Sequence, residues 1–177
     1  MQRPWKLPLT ILALVLALIA YVSYESALAA TSAADPVYVH MNAANDFLES
    51  VVAVHPGQPV VFVNQDTDAH TIVGYDPSTG KQPVAIDGKA NGTPGAGHGV
   101  GTFTVRLTKP GIYPYYCSVH ARLSKTFGSA VQPAPRKGAD GYGGAMAGVI
   151  IVTDDASLLA QNPKTSARKV LPNFFGG

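Results

Sequence analysis

Cysteine is almost missing: Cys117 is the only one in 177 residues. No disulfide can therefore close within the chain. Also excluded are a dinuclear copper centre bridged by two cysteines and any zinc or iron–sulfur site built from four. Charge is scarce too, at 14% of residues with a net +2. That balance gives no basic stripe, so nucleic acid is not an expected partner. Glu25 and Glu49 are the only glutamates. No Ser-His-Asp or paired-carboxylate pattern stands out, and no enzyme activity is expected. Internal repeats and strongly amphipathic helices are also lacking.

What is present is apolar and turn-rich. The chain is 46% hydrophobic, with 18 Gly and 14 Pro. That composition suits a packed all-β domain, and the length allows one domain of about 100–150 residues plus extensions. Arg3 and Lys6 precede an uncharged run over 7–24, whose apolar core is 9–22. This core is short of the roughly 20 residues of a membrane span and right for a signal peptide. Ala27-Leu28-Ala29 reads as a small-x-small cleavage site. Residues 7–30 are mostly apolar, however, so an N-terminal apolar helix acting as an uncleaved membrane tether stays open. Residues 1–30 are thus a signal peptide or a membrane anchor. Either way the rest is exported, to the periplasm or the outer face of the cell membrane.

Strands are expected at 36–40, within 47–54, and at 59–64, 70–73, 102–107, 112–117 and 147–153, from their β-branched and aromatic content. Pro59 opens its strand, where proline is tolerated. Residues 74–101 have little periodicity, and 122–144 are rich in Gly, Pro and basic side chains. Both are expected to be long loops. Asp154-Asp155 is expected to start a short helix over 156–161. The tail beyond it is expected to be loosely held. The resulting expectation is a Greek-key antiparallel β-sandwich over residues 36–153, followed by a tail over 154–177.

The chemistry concentrates at strand ends. Tyr113-Pro114-Tyr115-Tyr116-Cys117-Ser118-Val119-His120 puts a thiol and an imidazole three residues apart, on one turn. His70 comes from a second loop, after Asp66-Thr67-Asp68-Ala69. Met146 stands just before the last apolar run, Val149-Ile150-Ile151-Val152. Taken singly, each has an ordinary reading: a buried inert cysteine, a loop histidine, a core methionine. Together, one thiolate, two imidazoles and a thioether select copper over hard cations. A metal-held thiol also accounts for an exported cysteine with no partner in its own chain.

These segments resemble the cupredoxins, in the plastocyanin and pseudoazurin group. The match covers about residues 37–152 and is most specific in the run from Lys109-Pro110-Gly111 to His120. The resemblance implies one copper ion, cycling between Cu(I) and Cu(II), with His70, Cys117 and His120 as equatorial ligands and Met146 as the axial one. It also implies that Ser118 ties the two ligand loops together. Thr71 stands where family members often carry Asn, so hydrogen bonding at the sulfur is expected to differ. The family has only a few residues between the positions matched by His120 and Met146; this chain has 25. Gln132, Met41 or no group at all remain alternatives for the axial position.

The implied function is that of a type 1 (blue) copper protein in extracytoplasmic electron transfer, a monomer working with redox partner proteins. The alternative is a copper carrier that delivers metal to an exported copper enzyme. His40, His55 and His98 have no motif around them. By alternation, Tyr113 and Tyr115 share the face of Cys117, and Tyr116 points the other way. Arg122, Lys125, Arg136 and Lys137 make the loop after His120 basic, either as a solvated loop or as a docking surface for an acidic partner.

Overall fold

The β-branched runs pair into two sheets that close on one apolar core. The computed structural model describes residues 35–92, 100–134 and 145–167. In the smaller sheet, β3 (Pro59–Asn64) lies between β1 (Val37–Met41) and β6 (Gly101–Arg106). In the larger, the order is β2 (Val51–Val54), β10 (Ala147–Val152), β7 (Gly111–Tyr116), β4 (His70–Gly74), β5 (Asp87–Ala90). The central position of β3 explains its almost unbroken apolar run, since a strand flanked on both sides buries most of its residues. The outer strand β6 alternates between half-buried and exposed positions.

The expected β-sandwich is present, with one difference in its pairing. β1 runs parallel to β3, and β2 runs parallel to β10, while the other pairs are antiparallel. The chain crosses to the other sheet for β2 between β1 and β3. That crossover lets two strands of one sheet point the same way.

Phe47, Phe62 and Tyr115 form the centre of the core. Phe47 and Phe62 meet the Tyr115 ring edge-on, with centroids 4.9 and 5.2 Å away. Each such pair adds about 0.5–1.5 kcal/mol beyond the area it buries. β7 enters this core progressively: it is exposed at Gly111 and Ile112 and buried at Tyr115 and Tyr116. Cys117, the next residue, is fully buried. Pro114 is tolerated inside β7 because register with β4 extends only to Tyr115 and Tyr116.

Two expectations are corrected. Residues 74–101 are not all loop, because β5 pairs along β4 from His70 to Val73. Its sequence, Asp-Gly-Lys-Ala, carries no strand signature. As an edge strand it needs backbone pairing more than apolar side chains, and Gly88 leaves room for the Phe103 ring. Residues 122–144 are not all loop either: β8 (Ala121–Leu123) and β9 (Val131–Pro133) form a hairpin. In the tail expected to be loosely held, the described residues 163–167 include one tie, at Thr165, and 168–177 lie outside the described residues. Helix α1 (Ala156–Leu159) is capped by Asp155, which accepts from Ser157 N–H. Beyond it, Asn162 exchanges two hydrogen bonds with the Ala53 backbone, and Thr165 Oγ1 accepts from Tyr38 N–H at 3.0 Å.

The expected leader or anchor, residues 1–30, lies outside the described residues, as do His98, Arg136 and Lys137. Among the described residues no helix is long and apolar enough to cross a membrane.

Candidate metal centre

The three nitrogen and sulfur donors converge from two loops at one end of the sandwich. His70 opens β4 and is fully buried. Cys117 directly follows β7, and His120 follows on the turn leading into β8, partly exposed. The turn is closed by Ala121 N–H donating to the Cys117 carbonyl at 2.8 Å. One ligand atom from each of the three lies within 4.8 Å of the others. Cys117 Sγ is 3.8 Å from His70 Nδ1 and 3.5 Å from His120 Nδ1.

These separations can be tested against a metal ion. With metal–donor lengths of about 2.0–2.3 Å, sulfur and nitrogen donors at tetrahedral to trigonal angles stand roughly 3.5–3.8 Å apart. Both observed separations lie at that value, and both imidazoles turn the same nitrogen toward the sulfur. A buried thiolate with two imidazoles fits copper far better than calcium or magnesium, which take oxygen donors.

The surroundings prepare each donor. His70 Nε2 donates to Asp66 Oδ2 at 3.1 Å, and both side chains are buried. That bond fixes the ring and turns its Nδ1 edge toward the sulfur, to which Nδ1–H donates in the metal-free protein and where a metal would take the proton's place. Asp66 is itself fixed: its N–H donates to Asn64 Oδ1 at 2.9 Å, and Asn64 Nδ2 donates to the Asp68 carbonyl at 2.7 Å. Asn64 Nδ2 also reaches the Ala90 and Asn91 carbonyls, joining the His70 loop to β5.

Thr71 joins the His70 loop to the Cys117 turn. Its N–H donates to Cys117 Sγ at 3.4 Å. Its hydroxyl lies 3.6 Å from the sulfur and accepts from Ser118 N–H at 2.7 Å. Ser118 Oγ adds a further contact to Thr71 Oγ1 at 2.9 Å.

These contacts shift the titration of the donors. Burial pushes the Cys117 thiol up, but the hydrogen bonds from His70 and Thr71 outweigh it and bring the thiol down to about 6. Burial pulls His70 down, while the sulfur and the Asp66 carboxylate raise it more, for a net rise. A thiol at about 6 is mostly ionised at neutral pH, the state in which sulfur binds metal.

Met146 is buried beside Cys117, and its carbonyl accepts the Cys117 N–H at 3.0 Å. It shares an apolar cluster with Cys117 and Met41, the last residue of β1. Gln132 lies in β9, opposite Arg122. Two other histidines face carboxylates. His40 Nδ1 is 3.1 Å from Glu49 Oε2 in the core, and His55 Nδ1 is 2.9 Å from Asp154 Oδ1 at the surface. Sequence reasoning singled out neither Asp66 nor Glu49. The spacing of four between Asp66 and His70 is the only sequence signal that could have raised Asp66.

No protein-family model matches this chain, and no curated protein matches it. Solved cupredoxin structures are similar to it. Amicyanin from Paracoccus versutus is 17% identical, with a TM-score of 0.43 over 68% of this chain and 83% of that one. A purple cupredoxin from Nitrosopumilus maritimus is 17% identical, with a TM-score of 0.42 over 66% of this chain and 99% of that one. The Cu-containing nitrite reductase from Thermus scotoductus SA-01 is 27% identical, with a TM-score of 0.43 over 68% of this chain and 23% of that one.

Proposed function

We propose that this chain is a cupredoxin-type electron carrier that holds one copper ion through His70, Cys117 and His120, with Met146 as the axial group. The observation that carries this reading is the pair of sulfur–nitrogen separations, 3.8 and 3.5 Å, around a buried cysteine. Copper supplies a one-electron couple between Cu(I) and Cu(II). The protein's part is to hold the donors in place. Asp66 orients His70, and Thr71 clamps the sulfur loop to the His70 loop. Of the three donors only His120 is partly exposed, so water and substrates have little access to the ion. That arrangement favours electron transfer over chemistry on a bound substrate, and a carrier over an enzyme.

The chain would work outside the cytoplasm. The basic flank at Arg3 and Lys6, the apolar run over 9–22 and the Ala27-Leu28-Ala29 site support export. In the full chain loaded with one copper, spectroelectrochemical cycling should be reversible and keep the metal bound. A protein that surrendered its Cu(I) to a moderate chelator during cycling would be a delivery protein instead.

A further inference from the structure

The insertion between His120 and Met146 builds a surface that the metal centre itself does not use. Its hairpin, β8–β9, faces the loop over 76–82 across a cleft of about 640 Å³. Tyr116 and Ser118 line this cleft, and they are the two chain neighbours of Cys117. The cleft is therefore one peptide bond from the sulfur-bearing residue on either side. Tyr116 is anchored there by its hydroxyl, which donates to Gln82 Oε1.

Among the described residues, the charged side chains lining the cleft have one sign. Arg122 and Lys125 line it, with no carboxylate among the described lining residues. Both are exposed, and neither makes an ion pair among the described residues. The acid of the facing loop, Asp76, is occupied by its own neighbours: its carboxylate accepts from Ser78 N–H, Ser78 Oγ and Thr79 Oγ1. Apolar surface adjoins the cations. Phe127, in the hairpin turn, is 68% exposed, and Val119, next to Ser118, is 54% exposed. Cations beside exposed apolar side chains match the make-up of a protein-docking face better than that of a small-anion pocket.

We propose that this cleft docks a redox partner with an acidic face, whose carboxylates meet Arg122 and Lys125 and whose electron-exchanging group approaches Tyr116 and Ser118. The proposal rests on the electron-transfer reading above and adds the partner's charge and the side of entry. Exposed cations at such a site steer encounter and orient the partner.

The test starts with the metal-free full chain and hexacyanochromate(III), a redox-inert paramagnetic trianion that stands in for the acidic face. Broadening of amide resonances should concentrate at Tyr116, Ser118, Arg122 and Lys125. It should vanish in Arg122→Glu/Lys125→Glu, and a neutral paramagnetic chelate should not reproduce it. Broadening centred elsewhere, or unchanged in the variant, overturns the proposal. In the reduced, copper-loaded full chain, oxidation by ferricyanide at low salt should slow about tenfold or more in the same variant. Oxidation by cationic tris(phenanthroline)cobalt(III) should not slow. Equal losses with both oxidants, or none with either, also overturn it. If the loaded protein lacks a sulfur–copper band, the electron-transfer reading fails and the docking proposal fails with it. If the band is present and the broadening map fails, the docking proposal alone falls.

Discussion

Asp66 Oδ2 lies 3.1 Å from His70 Nε2, and both side chains are buried. A carboxylate in that position makes the imidazole more basic and fixes its orientation. Replacing Asp66 with Asn keeps the shape and removes the charge. Copper affinity, measured by competition with a chelator, should fall about 10–100-fold. The reduction potential should rise, because Cu(II) loses more stabilisation than Cu(I). Unchanged affinity and potential would mean that Asp66 only holds its loop.

Met146→Leu tests the axial assignment. The swap nearly conserves volume, so urea unfolding of the metal-free protein should change by less than about 1.5 kcal/mol. The potential of the copper form should rise and the ratio of its visible bands should change, because a weak sulfur ligand is lost. Spectra and potential identical to those of the parent would move the axial role to Gln132, Met41 or no residue.

Gly148 sits opposite Tyr115 in the β7–β10 register. A methyl group there would press on the Tyr115 hydroxyl and come within 2.8 Å of the Ser50 carbonyl oxygen. Gly148→Ala should destabilise the fold by about 1–3 kcal/mol, read from urea unfolding of the metal-free protein. The visible spectrum of any copper-loaded fraction should stay the same, since the donors lie on the neighbouring turn.

The metal-free thiol gives a pH prediction. Its ordinary value of 9.0 falls to about 6 in the fold. A lowered acid stabilises the folded state fully above its unfolded value. Cys117 should therefore contribute most above pH 9.0, progressively less toward pH 6, and nothing below that. His70, whose value is raised, works in the opposite sense: its contribution is full below 6.5 and is lost as pH rises through its folded value. An ultraviolet titration of the thiolate band should have its midpoint near 6 and shift upward in Thr71→Val, which removes the hydroxyl donor. A midpoint near 9.0 in the parent would contradict the hydrogen bonding described here.

Much of the frame was readable because it depends on local sequence. The β-branched runs at 59–64 and 147–152 mark central strands whatever their partners are. Cys117 and His120 share a turn, so their closeness follows from a spacing of three. Other features depend on distant partners and left no local trace. β5 is a strand only because β4 offers it an edge, and the Asp-Gly-Lys-Ala sequence would pass for a loop anywhere else. The two parallel pairings follow from the route of the chain between sheets, which residue pattern does not encode. Asp66 reaches His70 only because Asn64 pins the intervening loop to β5. The ties at Asn162 and Thr165 left no local trace because they are polar residues bonded to backbone more than a hundred positions away.

The central claim is a copper ion bound to Cys117. It is tested most directly by visible absorption and EPR spectra of the full chain loaded with one Cu(II), beside Cys117→Ser. The account predicts an intense sulfur-to-copper charge-transfer band in the parent, with the narrow copper hyperfine splitting of a covalent thiolate site, both lost in the variant. A colourless parent with ordinary imidazole-type copper signals, the same in Cys117→Ser, would contradict it.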